Sequence, residues 1–299
     1  MYRLRIGIGN LIARALGAKG GYIDSLRNQI EALHANSAAL HAQIQVLERL
    51  LTGTATARPP GAAAAVAALA APVVAVIMPT FNRPRFIPEA IASVQQQSFA
   101  HWELVIVGDG SGPETAAAVA PFLSDPRIRF VWQENAGSNN ARNRGIAETR
   151  APLIAYLDDD NLWYPDFLAC AVDFLATRND VDVLYGALVT DAHGLAGTCI
   201  LWRPFDREEL LRDNFIDTST IVHRRCLIDR YGAWDQSVAR LGDWYVILKY
   251  TADKPAYALD VLAAYYRDCG DIRMTHRPHE AAKTEILRRM AAMAPRPSA

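Results

Sequence analysis

Three consecutive carboxylates, Asp158, Asp159 and Asp160, follow the apolar run PLIAYL (152–157), and Asn161 stands directly after them. Adjacent like charges at the end of a buried strand raise one another's pKa unless a cation offsets them. Side chains alternate in an extended segment, so Asp158 and Asp160 are expected on one side and Asp159 on the other. Two hard oxygen donors suit a divalent ion such as Mg²⁺ or Mn²⁺, which binds through one or two carboxylates plus substrate phosphates. The pattern points to a nucleoside diphosphate bridged by metal. The competing reading is an exposed acidic turn; the apolar strand before the acids and Trp163 after them weigh against it.

Other apolar runs also end in polar groups. VVAVIM (73–78) runs into PTFNRPR, and ELVIVG (103–108) runs into Asp109-Gly110-Ser111-Gly112; RIRFVW (127–132) is a shorter strand candidate. Helical patterns separate them at Ile87 to Gln97, Glu114 to Leu123 and Asn139 to Glu148. Alternation of helices with fully apolar strands predicts an α/β fold, a mostly parallel sheet sandwiched by helices. Ligands in such sheets bind at the carboxyl ends of the strands, where these acids lie. Turn chemistry alone accounts for Asp109-Gly110, but not for three acids in a row.

The chain of 299 residues is 51% hydrophobic and carries a net charge of -1, so it can bury a large core and has no general pull toward nucleic acid. Its four cysteines form no CxxC spacing and read as reduced core residues of a cytoplasmic protein. No signal peptide is visible. The apolar stretch Ala62 to Met78, the one membrane-span candidate, is alanine-rich, is broken by Pro72 and is shorter than the ~20 residues a span needs.

Four segments are expected. Residues 1–20 place Leu4, Ile8, Leu11, Ile12 and Leu16 on one helical face among Arg3, Arg5, Arg14 and Lys19. Such a basic amphipathic helix suits either an anionic membrane surface, here the inner face, or packing on the protein's own body or a partner. Residues 21–51 carry an a/d seam from Ile23 to Leu51 with Ser37 as its polar member, which predicts a parallel coiled-coil homodimer. Residues 52–72 contain Pro59-Pro60-Gly61 and read as a linker. Residues 73–299 form the α/β domain, with a nucleotide half (73–165), an acceptor half (166–277) and a C-terminal helix or tail (278–299).

The segment VAVIMPTFNRPRFIPEAIASVQQQSFAHWELVIVGDGSGPET resembles the opening of family 2 glycosyltransferases of the GT-A fold. ENAGSNNARNRGIAETRAPLIAYLDDDNLWYPDFL is similar to their next block, which ends in the DxD motif. The resemblance is strong from 73 to about 170 and looser to about 267. It implies that Pro79, Thr80 and Arg83 lie against the nucleotide, that Asp109 hydrogen-bonds the base, and that Arg142 lies near base or phosphates. Asp158 and Asp160 match the DxD pair; Asp160 is implied as the direct metal ligand and Asp158 as a ribose contact that also serves the metal. Asp159 counts with the nucleotide-binding acids.

Inverting glycosyl transfer needs a general base that comes from a separate segment. Asp243, in SVARLGDWYVILKY, opens an amphipathic helix, where an acid can equally serve as a dipole cap. The resemblance implies the base, since the family carries Glu-Asp here. Trp163, Trp244, Arg267 and His276 are candidate contacts to sugar, diphosphate or acceptor. The chain departs from the family at Gly108, Asn161 and Gly242, each where a second acid is usual. The QxxRW pattern of processive synthases is absent. The expected protein moves one sugar at a time from a nucleotide-sugar, UDP-linked by default, to a glycan, lipid-linked or protein acceptor in cell-surface glycan synthesis. Two alternatives are a metal-dependent nucleotidyltransferase, which PTFNRPR fits poorly, and a coiled-coil scaffold with a degenerate sugar-nucleotide domain.

Overall fold

The computed structural model describes residues 72–191, 198–238, 240–267 and 280–293. The expectations for 1–20, 21–51 and 52–71, and for His276, fall outside the described residues.

In chain order the elements are β1 (Val74–Thr80), α1 (Ile87–Gln95), β2 (Trp102–Asp109), α2 (Pro113–Val119), a 3₁₀ turn (Ala120–Ser124), β3 (Ile128–Gln133), α3 (Ser138–Ala147), β4 (Leu153–Tyr156) and β5 (Leu162–Trp163). Then follow α4 (Phe167–Thr177), β6 (Val183–Asp191), β7 (Thr198–Leu201), α5 (Arg207–Arg212), a 3₁₀ turn (Thr218–Thr220), β8 (Ile221–Arg224), α6 (Cys226–Tyr231), α7 (Gly242–Tyr250), β9 (Tyr257–Tyr266) and α8 (Glu280–Ala292). All strands join one sheet in the order β3-β2-β1-β4-β8-β6-β9-β5, with β7 on β6.

The apolar runs became strands buried on both faces because each face has its own helices. Val74, Val76 and Met78 of β1 point into a core with Ile87 and Ile91 of α1 and Phe167 and Leu168 of α4. Ala75 and Ile77 point the other way, toward Ala141 and Ile146 of α3 and Trp244, Val246 and Leu248 of α7. Period-2 alternation between two cores removes any need for polar alternation in the strand itself.

The sheet is less parallel than its sequence suggests. β1 pairs in parallel with β2 and β4, and β2 with β3. Beyond β4 the direction changes: β8 runs antiparallel to β4 and β6, β7 to β6 and β5 to β9, while β6 and β9 are parallel. In the first half strand–helix–strand crossovers enforce the parallel pairing. The sheet also runs unbroken through the expected boundary at 165, since β8 of the second half lies directly beside β4 of the first. Among the described residues no helix is long and apolar enough to cross a membrane.

Candidate active site

The carboxyl ends of β1, β2 and β4 open onto a cleft of about 610 Å³, within the ~300–1,000 Å³ usual for ligand sites. Parallel pairing sets its floor: Thr80 lies beside Gly108, and Asp109 beside Gln133. The cleft is lined by Pro79, Thr80, Arg83, Asp109 and Arg142, by Asp158, Asp159 and Asp160, and by Asp243. Segments more than 150 residues apart in sequence therefore meet around one space.

The three acids are not an extended strand end. β4 stops at Tyr156, and the Asn161 amide donates to the Asp158 carbonyl at 3.1 Å, closing a turn. This corrects the expected alternation, because a turn does not send side chains to opposite faces. The grouping is instead set by two arginines. Arg142 Nη2 donates to Asp158 Oδ1 at 2.7 Å. Arg83 Nη1 donates to Asp159 Oδ1 at 3.2 Å and also to Asp160 Oδ2. Burial pushes the Asp159 carboxyl up to about 7 even though Arg83 opposes the shift.

Asp109 is committed to shaping the cleft wall. Its Oδ1 accepts from Gln133 Nε2 and the Ala136 amide, both at 2.8 Å, and its Oδ2 accepts from the Gly137 amide at 2.9 Å. Those amides lead into α3, so the carboxylate pins the turn that delivers Arg142. Arg142 in turn stacks over Trp234, with 4.5 Å from guanidinium carbon to ring centroid.

Asp243 sits in the first turn of α7, and Asn214 Nδ2 donates to its Oδ2 at 3.0 Å. Burial raises its pKa, and the negative charge of Asp158 adds to the shift. A carboxylate made more basic by its surroundings, facing a cleft, is suited to accept a proton.

Several side chains escaped the sequence reading. Phe81 follows Thr80 and is 50% exposed, although it is a large aromatic. It lines the cleft and offers a ring on which a base can stack. Asp217, Thr218, Asn139, Arg240 and Tyr266 also line it. Asp217 caps the Thr218–Thr220 turn by accepting from the Ser219 amide at 2.8 Å. Burial and the neighbouring Asp158 push it up to about 7. The Phe81 signal lay in PTFNRPR itself; Asp217 carries no local signal beyond a turn residue.

Other candidates lie elsewhere. Trp244 is 1% exposed, and its Nε1 donates to the Leu210 carbonyl at 2.6 Å, so it is a core residue with no face for a sugar. The helical period that exposes Asp243 turns the next residue inward. Trp163 is likewise buried; its Nε1 donates to the Ser219 carbonyl at 2.6 Å, and it props the acidic turn from behind. Arg267 pairs with Glu89 and stacks on Phe86 outside the lining of the cleft.

The three departures from the family pattern have local causes. A Cβ at Gly108 would lie 2.8 Å from the Phe130 ring, so aromatic volume from β3 fills the space beside Asp109. A Cβ at Gly242 would lie 2.6 Å from the Asn139 carboxamide. Asn161 is fully buried, and its Nδ2 donates to Ser219 Oγ at 2.9 Å. Restoring an acid at 161 removes that donor and buries a charge. Asn161→Asp is expected to destabilise the fold by ~1–3 kcal/mol in urea unfolding at neutral pH, with an unchanged midpoint as the contrary result.

The chain's similarities agree with this geometry. The family model for glycosyl transferase family 2 matches residues 75–233, just over half of the chain. One relative is the UDP-Glc:alpha-D-GlcNAc-diphosphoundecaprenol beta-1,3-glucosyltransferase WfgD of Escherichia coli, 29% identical over 53% of this chain and 63% of its own. The chain thus spans less than two thirds of that relative. A putative teichuronic acid biosynthesis glycosyltransferase, TuaG of Bacillus subtilis, is 27% identical over 73% of this chain and 88% of its own. Among solved structures, S. aureus TarS 1-349 in complex with UDP-GlcNAc superposes with a TM-score of 0.62 at 18% identity, over 73% of this chain and 65% of its own. The mannosyltransferase PcManGT from Pyrobaculum calidifontis, in complex with GDP-Man and Mn²⁺, gives 0.54 at 22% identity, over 82% and 69%. The two structures show a shared fold, and with the family match running from β1 through β8 and including the acidic turn and Arg142, the chain belongs to glycosyl transferase family 2.

Proposed function

We propose that the protein is an inverting, metal-dependent glycosyltransferase that moves one sugar from a nucleoside-diphosphate sugar to an acceptor hydroxyl. The single observation that carries this reading is the convergence of the acidic turn, Arg83, Arg142 and the more basic Asp243 on one cleft. The UDP and UDP-GlcNAc complexes of TarS favour a UDP-sugar donor, and the naming of WfgD and TuaG favours cell-surface glycan synthesis.

The donor set fits a divalent ion. Among the described residues six acids, Asp109, Asp158, Asp159, Asp160, Asp217 and Asp243, and three arginines, Arg83, Arg142 and Arg240, line the cleft. Among the described residues no group of three or more His, Cys, Asp or Glu side chains could hold a metal alone. Mg²⁺ or Mn²⁺ generally binds through one or two carboxylates together with substrate phosphates and water. Asp160 and Asp158 would hold the ion, which when bound offsets charge on the diphosphate. Phe81 stacks the base, Pro79 and Thr80 border the nucleotide, and Arg142 and Arg83 supply fixed positive charge beside the phosphates. Asp243 takes the proton of the acceptor hydroxyl as the oxygen attacks the anomeric carbon from the face opposite the diphosphate.

A screen of nucleotide-sugars by thermal shift tests this. A UDP-sugar is expected to raise the melting temperature with Mn²⁺ and to lose that effect with chelator; no nucleotide-dependent shift contradicts the reading. The pH profile supplies a second check. Because Asp243 titrates above an ordinary aspartate, the acid limb of kcat should also lie above that value: activity appears as pH rises through the raised pKa. An acid limb at the value of a free aspartate contradicts the role.

The seam of residues 21–51 supports a homodimer, and the basic face of 1–20 supports binding at an anionic membrane surface, where lipid-linked acceptors reside. Deleting residues 1–20 is expected to release the protein from phosphatidylglycerol vesicles in a flotation assay. Failure of the intact chain to float with them removes the membrane reading.

A further inference from the structure

We propose that Asn139 is a positioning residue for Asp243, and that Gly242 must be glycine because the Asn139 carboxamide occupies the volume a side chain there would need. This rests on the reading of Asp243 as the base. Asn139 lies in the first turn of α3, three residues before Arg142, which holds Asp158. Its Nδ2 donates to the carbonyls of Asp235 at 3.0 Å and Val238 at 2.7 Å, using both hydrogens. One turn on, Asn143 makes a reciprocal pair with Trp234: its Nδ2 donates to the carbonyl at 2.8 Å, and the Trp234 amide donates to its Oδ1 at 2.9 Å. Two asparagines on one helix therefore hold the segment that leads into α7.

The join between that segment and α7 is tight. Leu241 has φ +57°, left-handed for a branched side chain, and such a conformation persists only where the surroundings over-determine it. A Cβ on Gly242 would sit 2.6 Å from both Nδ2 and Oδ1 of Asn139, closer than non-bonded heavy atoms approach. The amide cannot retreat without breaking its two carbonyl bonds, and the glycine cannot gain a side chain without displacing the amide. Asn139 thus fixes, from the helix that carries Arg142, where the first turn of α7 begins. This contact adds to the packing of α7 on the sheet in setting where Asp243 stands relative to Arg142.

The full-length chain carrying Asn139→Asp, Gly242→Ala, Asn139→Gly, or Asn139→Gly with Gly242→Ala tests the claim. Asn139→Asp keeps the shape and removes both donors. It is expected to speed hydrogen exchange of the amides at the start of α7 and to leave exchange in β1 and β2 unchanged. With UDP-GlcNAc and Mn²⁺ as probe, kcat should fall on the order of 10²-fold with donor KM unchanged, the signature of a misplaced group and not a lost binding contact. Gly242→Ala should be impaired in urea unfolding and turnover, and the double variant should be less impaired than the two single losses combined, because removing the carboxamide frees the space for the methyl group. Unchanged exchange in Asn139→Asp, or strictly additive losses, overturns the proposal. Turnover that is absent even in the unmodified chain counts against the glycosyltransferase reading instead, while hydrogen exchange and the unfolding cycle still decide the role of Asn139.

Discussion

Asp243→Asn is expected to bind donor with unchanged affinity and to lose transfer by ~10²–10⁴-fold, the usual contribution of a general base. The substitution keeps the shape of the side chain, and its carbonyl oxygen can still accept from Asn214 Nδ2, which now donates to Asp243 Oδ2 at 3.0 Å. What disappears is the proton acceptor. Stability moves the other way. A carboxyl whose folded pKa is raised weakens the folded state once pH rises through the window between its unfolded and folded values. The neutral amide removes that penalty, so the melting temperature of Asp243→Asn at pH 8 should equal or exceed that of the parent. Loss of turnover with no loss of stability separates a chemical role from a structural one. Normal turnover refutes the base, and a lower melting temperature shows that the side chain serves the fold.

Asp160→Ala carries the second large effect. Asp160 is buried at the end of the acidic turn and shares Arg83 with Asp159. Without it the cleft keeps Asp158, already paired with Arg142, and Asp159, which burial pushes toward neutrality. Removing a direct ligand should weaken Mn²⁺-dependent nucleotide binding by more than the ~10–100-fold typical of an outer partner. Calorimetry of UDP binding with and without Mn²⁺ reads the difference, and an unchanged affinity moves the metal away from this turn.

Much of this site was legible in the residues. The apolar runs at 73–78, 103–108 and 152–157 became β1, β2 and β4, because continuous apolar strands require cover on both faces and helices were available to supply it. The strand-end rule then put Asp109 and the acids at one edge without further information. The rest depended on contacts that no local pattern encodes. The acids looked extended, but the Asn161 amide reaches back to the Asp158 carbonyl and the chain turns. Asn161 looked like a lost acid, but it is a donor to Ser219, 58 residues away. Trp244 beside Asp243 suited either a sugar platform or the core, and the helical period carries it into the core. The mixed half of the sheet was hidden for the same reason: antiparallel neighbours such as β4 and β8 are distant in sequence, and short strands carry no mark of direction.

The most direct test of the proposed transfer is the release of nucleoside diphosphate from UDP-sugars in the presence of Mn²⁺ by the intact chain, by Asp160→Ala and by Asp243→Asn. The intact chain should release UDP from at least one UDP-sugar, Asp160→Ala should show neither binding nor release, and Asp243→Asn should bind the donor without releasing UDP at more than a trace rate. Release by Asp243→Asn at the parental rate, or no release by the intact chain from any UDP-sugar, would contradict it.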